Sequence, residues 1–338
     1  MSGHMRIMLY SSALIMIAGA VLVPEQARAS AYTFQTLNNS ADPTFNQLLG
    51  INNGGTIVGY FGSGAAGFPN KGYKLAPPTT YTNENFPASA QTQVTGINNV
   101  GTTVGFWSAS NSGGGADANF GFVAQGGVFT TVNNPSVGSS PAINQLLGVN
   151  DANIAVGFYN DAGGASHGYT YNIATTAFTP VVYSLAASLT AAAINNSGQI
   201  AGFYVDSGML THGFLDNGGV FTPLDAPGAI ATMLFGLNNL GQAVGVETVS
   251  GGKQHGVIFN SLTDSWQVLD DPNGIGTTTF NGLNDRGQIV GFYVDSAGNT
   301  DGLLATTVPE PESFGILAAG VLGLVAGKGR RRLGSAFR

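Results

Sequence analysis

The sequence predicts an all-β fold: a six-bladed β-propeller closed by its N-terminal strand, flanked by a signal peptide and a C-terminal transmembrane tail. Three observations predict it. Of 338 residues, 51 are Gly and only 9% are charged, against about 25% charged in an ordinary soluble domain. That composition suits short strands and tight turns better than charge-rich amphipathic helices. Six copies of one unit fill the middle of the chain, and the chain starts with one strand too many and ends with one too few.

The unit is explicit. Gly50-Ile51-Asn52-Asn53-Gly54-Gly55-Thr56-Ile57-Val58-Gly59-Tyr60 recurs from Gly96 to Phe106, Gly148 to Phe158, Ala193 to Phe203, Gly236 to Val246 and Gly282 to Phe292. The leading residues are Asn52, Asn98, Asn150, Asn195, Asn238 and Asn284, at intervals of 46, 52, 45, 43 and 46. Propeller blades repeat at about 40–50 residues.

Each unit reads as four strands. The first ends at the apolar residue before the Asn. Asn-Asn-x-Gly or Asn-Asp-x-Gly then turns the chain, because Asn and Gly tolerate positive φ and Asn side chains bond back to the backbone. Asn153 stands where the other copies have Gly. These six Asn are expected to be structural turn residues. A Gly lies inside every second strand (Gly59, Gly105, Gly157, Gly202, Gly245, Gly291), marking close approach of another backbone or a large side chain. Third strands such as His212-Gly213-Phe214-Leu215 follow, then aromatic-led fourth strands such as Val220-Phe221-Thr222-Pro223-Leu224.

The phase of the chain predicts closure. Tyr32-Thr33-Phe34-Gln35-Thr36-Leu37 matches a fourth strand with no first three, and the last copy stops after a third strand at Asp301-Gly302-Leu303-Leu304. Joining them removes two exposed edges. An open solenoid or a two-sheet sandwich of the same hairpins leaves the spare strand unexplained.

The domains are then 1–29 signal peptide, 30–307 six-repeat propeller and 308–338 sorting signal. In the first segment an apolar run from Ile7 to Val23 precedes Ala27-Arg28-Ala29, small residues at the positions signal peptidase reads. Ala29-Ser30-Ala31 has the same form, so cleavage after Ala31 is a second option. An uncleaved anchor competes less well with such a site. At the other end Val308-Pro309-Glu310-Pro311 precedes an apolar run, Phe314 to Gly327, and then Lys328, Arg330, Arg331 and Arg332. The run is short for a span of about 20 residues, and the basic cluster favours a cytoplasmic end.

Two resemblances follow from these residues. The Pro-Glu-Pro motif, apolar run and arginines resemble, in that order, the PEP-CTERM sorting signal of Gram-negative bacteria. The resemblance implies an exosortase, cleavage near Pro309-Glu310-Pro311, transient inner-membrane association and release towards the cell surface or extracellular matrix. The repeats resemble the HAF family of extracellular repeats, with His167-Gly168-Tyr169, His212-Gly213-Phe214 and His255-Gly256-Val257 at the matching positions. The other copies depart further, at Lys71-Gly72-Tyr73, Phe120-Gly121-Phe122 and Asp301-Gly302-Leu303. That family brings no catalytic residues with it.

Charge and motif content exclude several functions. Residues 30–308 hold 15 acidic groups and four basic ones, Lys71, Lys74, Lys253 and Arg286, for a net −11. Such a surface repels nucleic acid. The absence of Cys excludes disulfides, thiolate metal sites and a thiol nucleophile. The three repeat histidines lie on third strands, too far from the axis to share a zinc ion. Asp161, Asp206 and Asp295 follow second strands without the spacing of a calcium loop and read as Asp turns. Gly62-Ser63-Gly64-Ala65-Ala66-Gly67 matches GxGxxG, but Phe68-Pro69-Asn70 follows in place of a helix, so no dinucleotide site is expected. No cofactor, metal or catalytic residue is assigned. The expected function is an exported structural or binding module, with signal peptidase and exosortase as processing partners and envelope glycan or exopolysaccharide as ligand. The alternative is a carbohydrate-active or hydrolytic propeller with its site at a channel mouth.

Overall fold

A computed structural model describes residues 32–113, 117–139 and 141–308. The segments expected to be a signal peptide and, from Pro309 onward and including Arg330, Arg331 and Arg332, a sorting motif lie outside the described residues; Val308 is described and exposed. The described chain is all β, with no helix among the described residues. Its 24 strands begin with β1 (Tyr32–Thr36). The first copy follows as β2 (Asn46–Ile51), β3 (Ile57–Phe61), β4 (Lys71–Ala76) and β5 (Thr80–Asn83). The second is β6 (Gln91–Ile97), β7 (Thr103–Ser108), β8 (Phe120–Gln125) and β9 (Val128–Val132). The third is β10 (Asn144–Val149), β11 (Ile154–Asn160), β12 (Ser166–Asn172) and β13 (Ala177–Pro180). The fourth is β14 (Ala186–Ile194), β15 (Ile200–Asp206), β16 (Thr211–Asn217) and β17 (Val220–Leu224). The fifth is β18 (Ala231–Leu237), β19 (Gln242–Thr248), β20 (Gln254–Asn260) and β21 (Ser265–Leu269), and the last is β22 (Thr278–Leu283), β23 (Ile289–Val294) and β24 (Thr300–Thr307).

Within each copy consecutive strands pair antiparallel in sequence order, the pattern of a propeller of small sheets. Four sheets are four-stranded, and a fifth runs from β14 to β21 through one parallel bridge, Thr211 to Ala231. In the last sheet β1 pairs with β24 over Tyr32–Thr307 to Thr36–Leu303. Leu37 carries this join inward: it is 3% exposed and packs with Leu48, Ile51 and Leu304. The innermost strands touch in succession, β2 with β6, β10, β14, β18 and β22 in turn, and β22 returns to β2. Apolar layers fill the space between adjacent sheets, as where Val104 and Val123 meet Leu146 and Tyr169.

Every innermost strand carries a bulge at the same place. The register slips between Leu48 and Gly50, Val94 and Gly96, Leu146 and Gly148, Ala191 and Ala193, Leu234 and Gly236, and Phe280 and Gly282. A bulge re-aims the extra side chain, and here Leu49, Thr95, Leu147, Ala192, Phe235 and Asn281 line the central channel. The second-strand glycines follow from it. A Cβ at Gly245 would run into the Met233 carbonyl of the bulged strand, and one at Gly202 would meet both Thr190 O and the Phe214 ring.

Candidate functional site

The six leading Asn come together at one end of the channel, where the innermost strands finish. Each turns its own hairpin: Asn52 Oδ1 accepts from Thr56 N at 3.0 Å, and the equivalents accept from Thr102, Ile154, Gln199, Gln242 and Gln288. Positive φ falls on the fourth turn position, Gly55 at 85° for example, and Asn153 takes it at 57°. Each Nδ2 then donates to the backbone carbonyl of the leading Asn in the next copy, Asn52 to Asn98, Asn98 to Asn150, and onward until Asn284 returns to Asn52 at 3.0 Å.

The next residue in each copy forms a second circuit. The backbone N–H groups of Asn53, Asn99, Asp151, Asn196, Asn239 and Asp285 each donate to the side-chain oxygen of the following member, closing from Asp285 to Asn53. Asp151 Oδ2 also accepts from Asn99 and Asn196, and Asp285 Oδ2 from Asn53 and Asn239. Partial burial opposes ionisation of both carboxylates. The amide and backbone hydrogen bonds overcome it, so both pKa values fall below the ordinary one. This end holds a cavity of only about 70 Å³.

The opposite end, where the innermost strands begin, is open. Beyond a waist of about 70 Å³ lined by Gly50, Gly96, Gly148 and Gly282, the channel widens to about 440 Å³. Gln47, Gln93 and Gln145 stand on the first three innermost strands, directly across the pairing from Tyr60, Phe106 and Phe158. Phe203 and Phe235, edge to face at 5.9 Å, line the far side. No Asp, Glu, His, Lys or Arg lies among the described residues of this lining. Sequence reasoning missed the glutamines. Asn46-Gln47-Leu48-Leu49-Gly50 recurs letter for letter as Asn144-Gln145-Leu146-Leu147-Gly148, but a repeat frame opened at Gly50 excludes the signal.

The other candidates lie outside this mouth. His167 Nε2 is 2.8 Å from Asp161, His255 Nδ1 is 2.7 Å from Asp270, and His212 sits between Asp225 at 2.9 Å and Asp206 at 3.5 Å. Burial works against a charged His212, and the two carboxylates more than offset it, raising its pKa. The Asp turns have their predicted form: Asp161, Asp206 and Asp295 each accept two backbone N–H groups of their own loop. Among the described residues no group of three His, Cys, Asp or Glu side chains is placed to hold a metal ion. Glu247 and Asp271 are buried, and desolvation pushes both carboxyls up. Neither lines the mouth. The GxGxxG segment is a loop.

No protein-family model matches the chain, and no curated protein matches it in sequence. Among solved structures it is similar to the lectin of Aleuria aurantia, described as a six-bladed β-propeller with a novel fucose recognition mode. That match has 11% identity and a TM-score of 0.48, covering 79% of this chain and 96% of the lectin. A putative TolB from Agrobacterium tumefaciens is similar at 12% identity and a TM-score of 0.49, over 84% of this chain and 100% of that one. A Trypanosoma rangeli sialidase is similar at 9% identity and a TM-score of 0.48, over 86% of this chain and 60% of that one. No ligand or residue role is carried over from these proteins.

Proposed function

We propose that this chain is an exported, surface-delivered six-bladed β-propeller, closed by its N-terminal strand, that binds envelope glycan or exopolysaccharide. Counting the eight-stranded sheet as two blades joined by a single bridge gives six, with β1 as the fourth strand of the last. One observation carries the binding role: the two ends of the channel are unlike. One is occupied by amides and carboxylates bonded to each other, and the other opens into amides, a hydroxyl-bearing rim and aromatic rings. A few convergent polar groups among aromatic walls suit recognition of a neutral, hydroxyl-rich ligand. General acid–base hydrolysis needs titratable groups at the bond to be broken. The absence of any such group among the described mouth residues favours binding over an enzyme sited there.

Export rests on the sequence. Signal peptidase removes residues 1–29, and residues 308–338 hold the chain transiently at the inner membrane until an exosortase acts near Pro309-Glu310-Pro311. Extracellular protein analysed by mass spectrometry is expected to lack peptides from Leu322 to Arg330; their presence would remove the sorting reading. For the binding role, residues 30–308 on a glycan panel, scored for binding and cleavage together, should bind without cleaving. Cleavage abolished by one acidic substitution would make the protein an enzyme.

A further inference from the structure

The six-fold pattern breaks in one place. The connection from second to third strand spans 161–165, 207–210, 249–253 and 295–299 in the last four copies, but 62–70 in the first and 109–119 in the second. The two long connections meet, Asn111 Nδ2 donating to the Ala65 carbonyl at 3.2 Å. Between them lies a cleft of about 520 Å³. It shares Gln93, Phe106 and Gln145 with the channel mouth, so the two spaces are continuous.

We infer that this cleft is a binding subsite for an uncharged oligosaccharide, which runs from between the two long loops over Phe106 to the channel mouth. The inference rests on the glycan-binding reading above and adds a place and a ligand class to it. Its polar walls are held by an amide relay. Gln93 Nε2 donates to Asn70 Oδ1 at 2.8 Å and Gln145 Nε2 to Asn119 Oδ1 at 2.7 Å. The Oε1 of each glutamine takes no partner among the described residues and is left to accept from a ligand hydroxyl.

Charge selects against anionic ligands. Asp117 is the one titratable side chain among the described lining residues. Its oxygens already accept from the Ser110 and Ser112 hydroxyls, the Ser112 N–H and Gln91 Nε2. No Lys, Arg or His among the described lining residues offers an anion a partner. Phe106 makes no ring contact among the described residues and stands across the strand pair from Gln93. A flat aromatic surface beside an amide edge complements a pyranose ring, which has an apolar C–H face and a rim of hydroxyls. A peptide would instead look for an unpaired strand edge, and β7 beneath the cleft is paired on both sides.

Calorimetric titration of the purified full chain with neutral hexose oligosaccharides, a uronic-acid oligosaccharide and an extended peptide tests this. A neutral oligosaccharide should bind. Ala65→Trp, which fills the cleft from an exposed loop position, should weaken binding at least tenfold without lowering the unfolding temperature, and Gln93→Ala, which also removes the donor to Asn70 Oδ1, should weaken it at least tenfold. Neutral binding that survives Ala65→Trp but is lost in Phe203→Ala would overturn the cleft and leave the mouth reading standing. Preference for the uronic-acid oligosaccharide or the peptide would overturn the ligand class. Binding by no oligosaccharide would overturn both readings.

Discussion

Asn238 uses its amide in two directions. Its Oδ1 accepts from Leu240 N and Gln242 N inside its own turn, and its Nδ2 donates to the Asn284 carbonyl of the next copy. Asn238→Ala removes these three and the Nδ2 donation to Gln242 Oε1, and leaves the turn N–H of Gln242 without its acceptor. The expected loss is about 1–3 kcal/mol, the usual cost of stranding buried polar groups. An unchanged denaturant midpoint would contradict it. The turn was legible from repetition of Asn in six copies, whereas the bond to the neighbouring copy was not, since it exists only when the copies stand in a ring. Asp151 and Asp285 interrupt a set that is otherwise Asn, and their lowered pKa values fix the sign of the acid response. A carboxylate whose folded pKa is depressed stabilises the fold above its unfolded pKa, near 3.9, and loses that contribution as pH falls through the folded value. Asp151→Asn replaces an acceptor facing two Asn Nδ2 donors with a side chain that is half donor. The variant should be less stable than the parent at pH 7, and the gap should narrow by pH 3. A gap of equal size at both pH values would show that the charge of Asp151 contributes nothing.

At the scale of the strand, the bulge connects sequence to site. Strand positions, the glycine of every second strand and the aromatic-led fourth strand were all readable from repetition and from the Asn and Gly of the turns. The bulge was not, because the extra residue follows no common pattern: it is Leu in two copies, Leu49 and Leu147, and Thr95, Ala192, Phe235 and Asn281 in the others. Only the slipped register reveals that they face the same channel. Gly245 sits opposite this slip, and a methyl there meets the Met233 carbonyl and Leu234 Cα. Backbone cannot yield as a flexible side chain can, so Gly245→Ala should cost about 1–3 kcal/mol, in the range for overpacked sites. Thermal unfolding of the variant at the parental temperature would show that the two strands separate freely there.

For the molecule as a whole, the proposed closure decides whether there is a site at all. The two hydrogen-bond circuits pass from copy to copy and return to their start, and the open mouth exists only while six innermost strands surround it. The repeated sheets were legible in six copies of one turn, and the proposed ring rests on the spare strand at one end matching the strand missing at the other. The mouth and the cleft were not, because their glutamines lie outside the repeat frame and their long loops belong to two copies alone. β1 joins the two ends of the repeat array through five residue pairs with β24, and without it the last sheet presents an unpaired edge. The most direct measurement is thermal unfolding of residues 30–308 with and without residues 32–36. The closed ring predicts a lower and less cooperative transition for the shortened chain; an identical unfolding temperature would mean that β1 does not close it.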